Sequence, residues 1–236
     1  MTDSLLIVAH GQPSDPAPAE AEMAAFARAV AGHLPGWTVA SATLADPAAL
    51  GRALAPLSRP LVFPFFMADG WFIRTLLPER LAAAGAAEAN ILCPFGLLPG
   101  TPALAAAAAT AAAGAAGWEA RETTLILAAH GSGQSRKPAE AARAIARSLG
   151  GTTAFAEIRT GFIEEAPRLA EALTGAPARS ILLPLFVARW GHVQDDIPAA
   201  VAATGFAGIV LPPLGQRPEV PAMVADAARD RTPLPP

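Results

Sequence analysis

Two histidines and a glutamate in the second half of the chain, His130, His192 and Glu164, are of the side-chain types that bind divalent transition metals. Imidazole and carboxylate ligands together suit ions such as Co²⁺, Fe²⁺, Ni²⁺ or Zn²⁺. His130 directly follows the apolar run 125–129 and precedes Gly131, which is typical of the carboxyl end of a buried parallel strand. The sequence therefore predicts a metal site where several strands end.

Asp196 is expected to support His192. The two residues are four positions apart at the start of a predicted helix, so they share one face of it. A carboxylate there can hold the second imidazole nitrogen and fix the tautomer of the ring, although the helix dipole alone also favours an acid in a first turn. Glu165 competes with Glu164 for the ligand role, and the sequence leaves that choice open.

The polar residues of the predicted site belong to one of two copies of a repeated unit. His10 and His130 lie 120 residues apart at equivalent positions, and many other residues match at the same offset. Three equivalent positions differ in chemistry: Leu44 stands for Glu164, Phe72 for His192 and Leu76 for Asp196. This difference predicts that the second copy carries the chemistry and that the first copy became scaffold or cleft wall.

Strand and helix patterns alternate through both copies, which favours right-handed βαβ units and parallel sheets. In the second copy the predicted strands are 125–129, 153–157, 181–186 and 209–211, and a helix is predicted at 164–173. The predicted fold is α/β, with two tandem lobes that each contain a parallel four-stranded sheet flanked by helices. The lobes are predicted at residues 1–116 and 123–236, with a linker around 114–122.

The composition is typical of a well-cored α/β protein: of 236 residues, 53% are hydrophobic and 16% are charged. A single cysteine allows no intramolecular disulfide and disfavours a cysteine-based zinc site. The net charge of −3 gives no reason to expect nucleic acid as a partner. We find neither a signal peptide pattern nor an apolar run of membrane length, so a cytoplasmic protein without a membrane partner is expected. The oligomeric state is not predicted.

Other catalytic motifs do not fit the chain. Ser132 does not belong to a G-x-S-x-G turn, so it is a poor hydrolase nucleophile. The segment 131–133 lacks the remaining residues of a dinucleotide fingerprint and of a P-loop. Its backbone N–H groups can still bind an anion, which leaves a domain that binds a phosphorylated metabolite as an alternative.

Three motifs give the sequence a family resemblance. They are the strand-His-Gly-Ser segment 125–132, the Phe-Ile-Glu segment 162–164, and Pro-Leu-Phe at 184–186 followed by Gly-His-Val-Gln-Asp-Asp-Ile-Pro at 191–198. With them the chain resembles the class II chelatases of cobalamin and siroheme biosynthesis, the sirohydrochlorin cobaltochelatase/ferrochelatase family, in its long, internally duplicated form. The resemblance covers nearly the whole chain, although Phe72 stands where the family pattern places a second histidine.

The resemblance implies two flavodoxin-like lobes around a tetrapyrrole cleft. It also implies an enzyme, a lyase that inserts Co²⁺ or Fe²⁺ into sirohydrochlorin or a related tetrapyrrole. The metal is then a substrate, and neither an organic cofactor nor ATP is implied. His130, Glu164 and His192 match the metal-binding and catalytic positions. Substrate-binding roles are expected for His10, Ser132, Arg136 and Arg189. A non-catalytic relative that binds a tetrapyrrole or a metal is the alternative.

Overall fold

The computed structural model describes residues 3–235 and contains two sheets, each of four parallel strands. The first sheet has the order β2-β1-β3-β4 and the second has the order β6-β5-β7-β8. The strands are β1 Ser4–Ala9, β2 Thr38–Thr43, β3 Leu61–Pro64, β4 Asn90–Ile91, β5 Thr124–Ala129, β6 Glu157–Phe162, β7 Ser180–Pro184 and β8 Ile209–Val210. The predicted fold class is confirmed.

Helices alternate with these strands in both repeats, as the sequence predicts. They are α1 Pro16–Gly32, α2 Ala49–Leu54, α3 Leu77–Ala83, α4 Thr101–Ala115, α5 Lys137–Thr152, α6 Leu169–Leu173, α7 Asp196–Thr204 and α8 Val220–Arg229. A π-helix precedes α3 at Phe72–Leu76, and a 3₁₀ turn occupies the equivalent place at Gly191–Val193. Within residues 3–235, no helix combines the length and the apolar character that a membrane span requires.

The central strands β1 and β5 are buried along their whole length. In the second sheet, Ile126 of β5 and Leu182 of β7 pack in one apolar cluster with Leu169 of α6 and Ile197 of α7. Burial of each large aliphatic side chain contributes about 1.5–3 kcal/mol. The cluster therefore fixes α6 and α7 to the sheet, and with them the segments that join these helices to the strand ends.

The chain divides into two compact units whose boundaries differ from those of the sequence repeat. One unit consists of the residues up to Leu98 together with those from Pro218 onward, and the other consists of Pro99–Arg217. The fourth helix of the first repeat, α4, packs against α5 and β7, whereas the fourth helix of the second repeat, α8, packs against α1 and β3. The predicted lobes 1–116 and 123–236 therefore describe the repeat in the sequence, and each compact unit takes its last helix from the other repeat.

The strand predicted at 153–157 is wrong, because β6 spans Glu157–Phe162. This strand is at the edge of its sheet, and it carries the exposed Glu157 and the half-buried Arg159, which form an ion pair at 2.8 Å. An edge strand needs no continuous apolar run, so the apolar pattern indicated a strand in the segment that precedes β6.

The helix predicted at 164–173 begins only at Leu169. Pro167 has no backbone N–H and disfavours helical conformation in the residue before it, so residues 163–167 form bends between β6 and α6. Glu164 is consequently a loop residue, two positions beyond the end of β6. This correction places its carboxylate near the carboxyl edge of the sheet instead of on a helix.

Candidate metal site in the second repeat

The structure brings His130, Glu164 and His192 together. Each residue offers one ligand atom, and the three atoms lie within 4.8 Å of one another. The two imidazole centroids are 4.6 Å apart, and the ring planes are nearly perpendicular at 84°. His130 follows β5, Glu164 follows β6 and His192 follows β7, which are adjacent strands in the order β6-β5-β7. The carboxyl ends of neighbouring parallel strands thus deliver all three side chains to one place.

The orientation of His130 is fixed by its own loop. Its Nδ1 lies 2.8 Å from the carbonyl oxygen of Gly131, which can only accept a hydrogen bond. The neutral ring is therefore an Nδ1–H donor, which leaves the lone pair of Nε2 for a metal. The backbone carbonyl of His130 accepts a hydrogen bond from the N–H of Glu164 at 2.8 Å, so the two ligand-bearing loops are tied together.

A carboxylate fixes the orientation of His192, as the sequence predicts for Asp196. Nδ1 of His192 lies 2.6 Å from Oδ2 of Asp196, the first residue of α7. The carboxylate accepts the Nδ1–H, so the lone pair of this ring is also on Nε2. Ile197, which is 2% exposed, anchors the first turn of α7 in the core. In both histidines the nitrogen with the available lone pair is therefore Nε2.

The structure distinguishes Glu164 from Glu165. Glu164 is exposed and belongs to the ligand cluster, whereas Glu165 is half-buried and faces the loop after β5. Oε1 of Glu165 accepts a hydrogen bond from the N–H of Ser132 at 2.9 Å, and its Oε2 lies 3.9 Å from the Arg143 guanidinium. Glu164 is thus the glutamate with ligand geometry.

Sequence reasoning missed Arg143. The residue lies on α5, its guanidinium carbon is 5.0 Å from the centroid of the Phe162 ring, and it pairs with Glu165. The difference between the repeats was the available signal, because the residues equivalent to Arg143 and Glu165 are Met23 and Ala45.

The equivalent place in the first repeat is apolar. His10 follows β1, and its ring centroid lies 4.5 Å from that of Phe72. Phe66 adds a second aromatic ring 6.1 Å from Phe72. Leu44 is partly buried against the apolar cluster of its sheet. Among the residues that the structure describes, the cluster of candidate metal ligands does not include His10.

The residues expected to bind substrate lie in the loops after the strands. Ser132 and Arg136 lie between β5 and α5, and the Ser132 hydroxyl accepts hydrogen bonds from the N–H groups of Gln134 and Ser135, both at 3.1 Å. Arg136 and Arg189 are exposed, as is His10 in the first repeat. Their substrate-binding roles stay predictions.

The single cysteine is unsuited to metal binding. Cys93 is buried, and burial, followed by the negative charge of Asp69, raises its pKa to about 11. A metal ligand must be the thiolate. The side chain is therefore a protonated, apolar part of the core at ordinary pH.

Two imidazoles and one carboxylate leave several coordination positions of a six-coordinate ion open. Of the three side chains, His130 and Glu164 are exposed, so an ion bound there is accessible to a second ligand. This is the geometry of a site that can accept an ion and pass it on. A closed structural site, in contrast, surrounds its ion with four protein ligands.

Comparisons with known proteins identify relatives of this chain. The CbiX family model matches residues 124–231. A solved structure described as CbiX, the terminal enzyme for biosynthesis of siroheme in denitrifying bacteria, is 50% identical, with 96% of this chain and 98% of that chain covered and a TM-score of 0.90.

Two more distant structures share the fold. SirB from Bacillus subtilis with Fe³⁺ is 15% identical, with 98% of this chain and 95% of that chain covered and a TM-score of 0.76. The multi-domain protein DR2241 from Deinococcus radiodurans is 20% identical, with 97% of this chain and 55% of that chain covered and a TM-score of 0.71. No curated protein matches the chain.

Proposed function

The chain belongs to the CbiX family of class II chelatases, and we propose that it inserts a divalent metal ion, Co²⁺ or Fe²⁺, into sirohydrochlorin or a closely related tetrapyrrole. The observation that carries the proposal is the cluster of His130, Glu164 and His192, with ligand atoms within 4.8 Å. The relative at 50% identity is described as the terminal enzyme of siroheme biosynthesis. The chelatase SirB has been solved with cobalt and with Fe³⁺, which favours these metals.

The two histidines bind the metal ion first. Each must be neutral to act as a ligand, and each has its Nδ1–H held by an acceptor, the carbonyl of Gly131 or the carboxylate of Asp196. In both rings Nε2 therefore carries the lone pair that binds the ion. Because the ion is a substrate, moderate affinity is required: a site that held it too tightly would not release it to the macrocycle.

Glu164 has two roles in the proposal. Its carboxylate completes the ligand set, and it accepts one of the two pyrrole N–H protons that the incoming ion displaces. The second proton goes to a histidine after that ring releases the metal, or to water. Arg136 and Arg189 bind carboxylates of the macrocycle through charge-assisted hydrogen bonds.

The test is a metal insertion assay with the macrocycle in large excess over the protein. Metallation changes the absorbance spectrum of the tetrapyrrole, and a chelatase continues through many turnovers. A signal that stops after one equivalent contradicts the proposal and supports the non-catalytic alternative. Anion binding that survives the loss of both histidines, without any insertion, supports instead the domain that binds a phosphorylated metabolite.

Glu164→Gln tests the role of the carboxylate in the same assay. The amide keeps the size of the side chain but loses the charge and the ability to accept a proton, so we expect the insertion rate to fall about 100-fold. Glu140→Gln is the control, because Glu140 is an exposed acid in the first turn of α5. This substitution changes the net charge of the protein by the same amount as Glu164→Gln. Equal rates for the two variants contradict the role of Glu164.

A further inference from the structure

One peptide group lies between Glu165 and His130. Its N–H, from Ser132, donates to Oε1 of Glu165 at 2.9 Å. Its C=O, from Gly131, accepts the Nδ1–H of His130, with 2.8 Å between nitrogen and oxygen. The carboxylate and the imidazole therefore bind opposite ends of a single planar amide.

Hydrogen bonds at the two ends of an amide strengthen each other. Resonance couples the amide nitrogen and oxygen, and a bond from N–H to a charged carboxylate is stronger than one to a neutral acceptor. Such a bond moves electron density to the carbonyl oxygen, which then binds the imidazole N–H more strongly. The expected result at His130 is a larger share of the Nδ1–H tautomer and more electron density on Nε2.

The position of Glu165 is well defined by its surroundings. Arg143 pairs with Oε2 at 3.9 Å and lies over the ring of Phe162, which is fully buried. Cγ and Oε1 of Glu165 lie only 2.9 Å from the point where Gly131 would carry a Cβ. Glycine at position 131 thus permits the close approach of the carboxylate, in addition to adopting its positive φ of 69°.

The first repeat shows that the turn forms with an alanine at the position of Glu165. Gly11 adopts φ of 79°, close to that of Gly131, and the residue equivalent to Glu165 is Ala45. The Cβ of Ala45 lies 2.9 Å from the point where Gly11 would carry a Cβ, so the alanine approaches the turn as closely as the glutamate does. Glu165 is therefore not required for the local fold, and it occurs in the repeat that has the second histidine.

From this geometry we propose that Glu165 is a positioning residue for His130, which acts through the Gly131–Ser132 peptide as Asp196 acts directly on His192. One metal-binding histidine is thus supported by a carboxylate in contact and the other by a carboxylate one peptide away. The inference rests on the proposed metal-binding function, but its structural part, the tautomer of His130, can be measured without metal or macrocycle.

The first experiment compares Glu165→Gln with the wild-type protein by ¹⁵N NMR of the histidine rings, at a pH well above the ordinary imidazole pKa of about 6.5. Glutamine keeps an oxygen that can accept the Ser132 N–H, but it loses the negative charge and with it the ion pair to Arg143. We expect His130 to shift toward the Nε2–H tautomer while His192 does not change. Unchanged His130 signals contradict the proposal.

The second experiment is a Co²⁺ titration of the same proteins. Removal of an outer-shell partner typically lowers metal affinity 10–100-fold, and because Glu165 acts through a peptide we expect about the lower value. Glu140→Gln, with the same change in charge, should stay within about twofold of the wild-type protein. Failure of the wild-type protein itself to bind Co²⁺ contradicts the proposed function, whereas equal affinity of wild-type and Glu165→Gln contradicts only the role of Glu165.

Glu165→Ala separates positioning from a structural role. This variant reproduces Ala45 of the first repeat, so we expect the circular dichroism spectrum and thermal unfolding of the wild-type protein together with a shifted His130 tautomer. Loss of folding in this variant contradicts the proposal, because it shows that Glu165 holds the loop itself.

Discussion

The strand ends of the two repeats place a pair of rings at almost the same distance, yet only one of these two pairs consists of two imidazoles. His130 and His192 have centroids 4.6 Å apart, and His10 and Phe72 have centroids 4.5 Å apart. The backbone frame therefore sets the ring separation whatever the second ring is. What distinguishes the two places is the chemistry of that ring and of the groups that support it.

The residues around the two ring pairs also differ between the repeats. In the second repeat, carboxylates come from Glu164, Glu165 and Asp196, whereas the equivalent residues of the first repeat are Leu44, Ala45 and Leu76. An imidazole site needs its acceptors as much as its ligands, because the acceptors select the tautomer. Leu44 instead packs against the apolar cluster of its sheet, so the first repeat uses this position for stability.

The largest effects are expected from removal of a histidine ligand. His130→Ala and His192→Ala each remove one of three candidate ligands, and we expect the initial rate of cobalt insertion to fall by more than the 10–100-fold that is typical for loss of an outer-shell partner. His10→Ala should have a much smaller effect, because its partner is Phe72. The rates are compared at saturating sirohydrochlorin, with circular dichroism as the check of folding.

The reverse pattern contradicts this interpretation of the repeats. If His10→Ala is inactive while His192→Ala inserts metal at the normal rate, the chemistry belongs to the first repeat despite Phe72. A moderate loss in His10→Ala alone, with a raised KM for the macrocycle, instead agrees with the substrate-binding role predicted for His10.

The sequence predicted which side chains lie together, because the repeat offset and the strand-end rule act on local patterns. An apolar run that ends in His-Gly predicts the place of His130, and a four-residue spacing predicts the contact of His192 with Asp196, observed at 2.6 Å. Those features need only the period of a helix and the direction of a strand. The roles of His130, His192 and Asp196 in metal binding and catalysis stay predictions until the variants are measured.

The sequence could not predict features that depend on contacts between distant segments. Glu165 lies next to Glu164 in the chain but faces Ser132, and nothing in the local pattern indicates this. The compact units were missed for the same reason, since helical periodicity shows that α4 forms but not which sheet it covers. The wrong prediction of β6 has a different cause, because it could have been avoided from the sequence repeat. The span of β2, shifted by the repeat offset of 120 residues, gives 158–163, which is almost the observed span of β6.

A smaller effect than ligand removal is expected from Asp196→Asn. The amide oxygen can still accept the Nδ1–H of His192, but the negative charge that strengthens this bond is lost, so we expect Co²⁺ affinity to fall about tenfold. Asp195→Asn is the matched control, since Asp195 is an exposed neighbour with the same charge. A titration followed by calorimetry measures both. Equal affinities indicate that Asp196 serves only the helix dipole of α7.

The smallest effect is expected from Phe72→His in the first repeat. This variant is also the most direct test of the comparison between the repeats. The ring at position 72 is already 4.5 Å from His10, so the substitution creates a two-imidazole pair without any movement of the backbone. We expect a second equivalent of Co²⁺ to bind, and to bind more weakly than the first, because Leu44 offers no carboxylate and Leu76 cannot hold the new ring. Phe72→Leu is the control, and a titration in the His130→Ala background isolates the new site. If Phe72→His binds no more metal than Phe72→Leu, the backbone of the π-helix at Phe72–Leu76 does not place a ring as the 3₁₀ turn at Gly191–Val193 does, and ring separation alone is not enough to define the site.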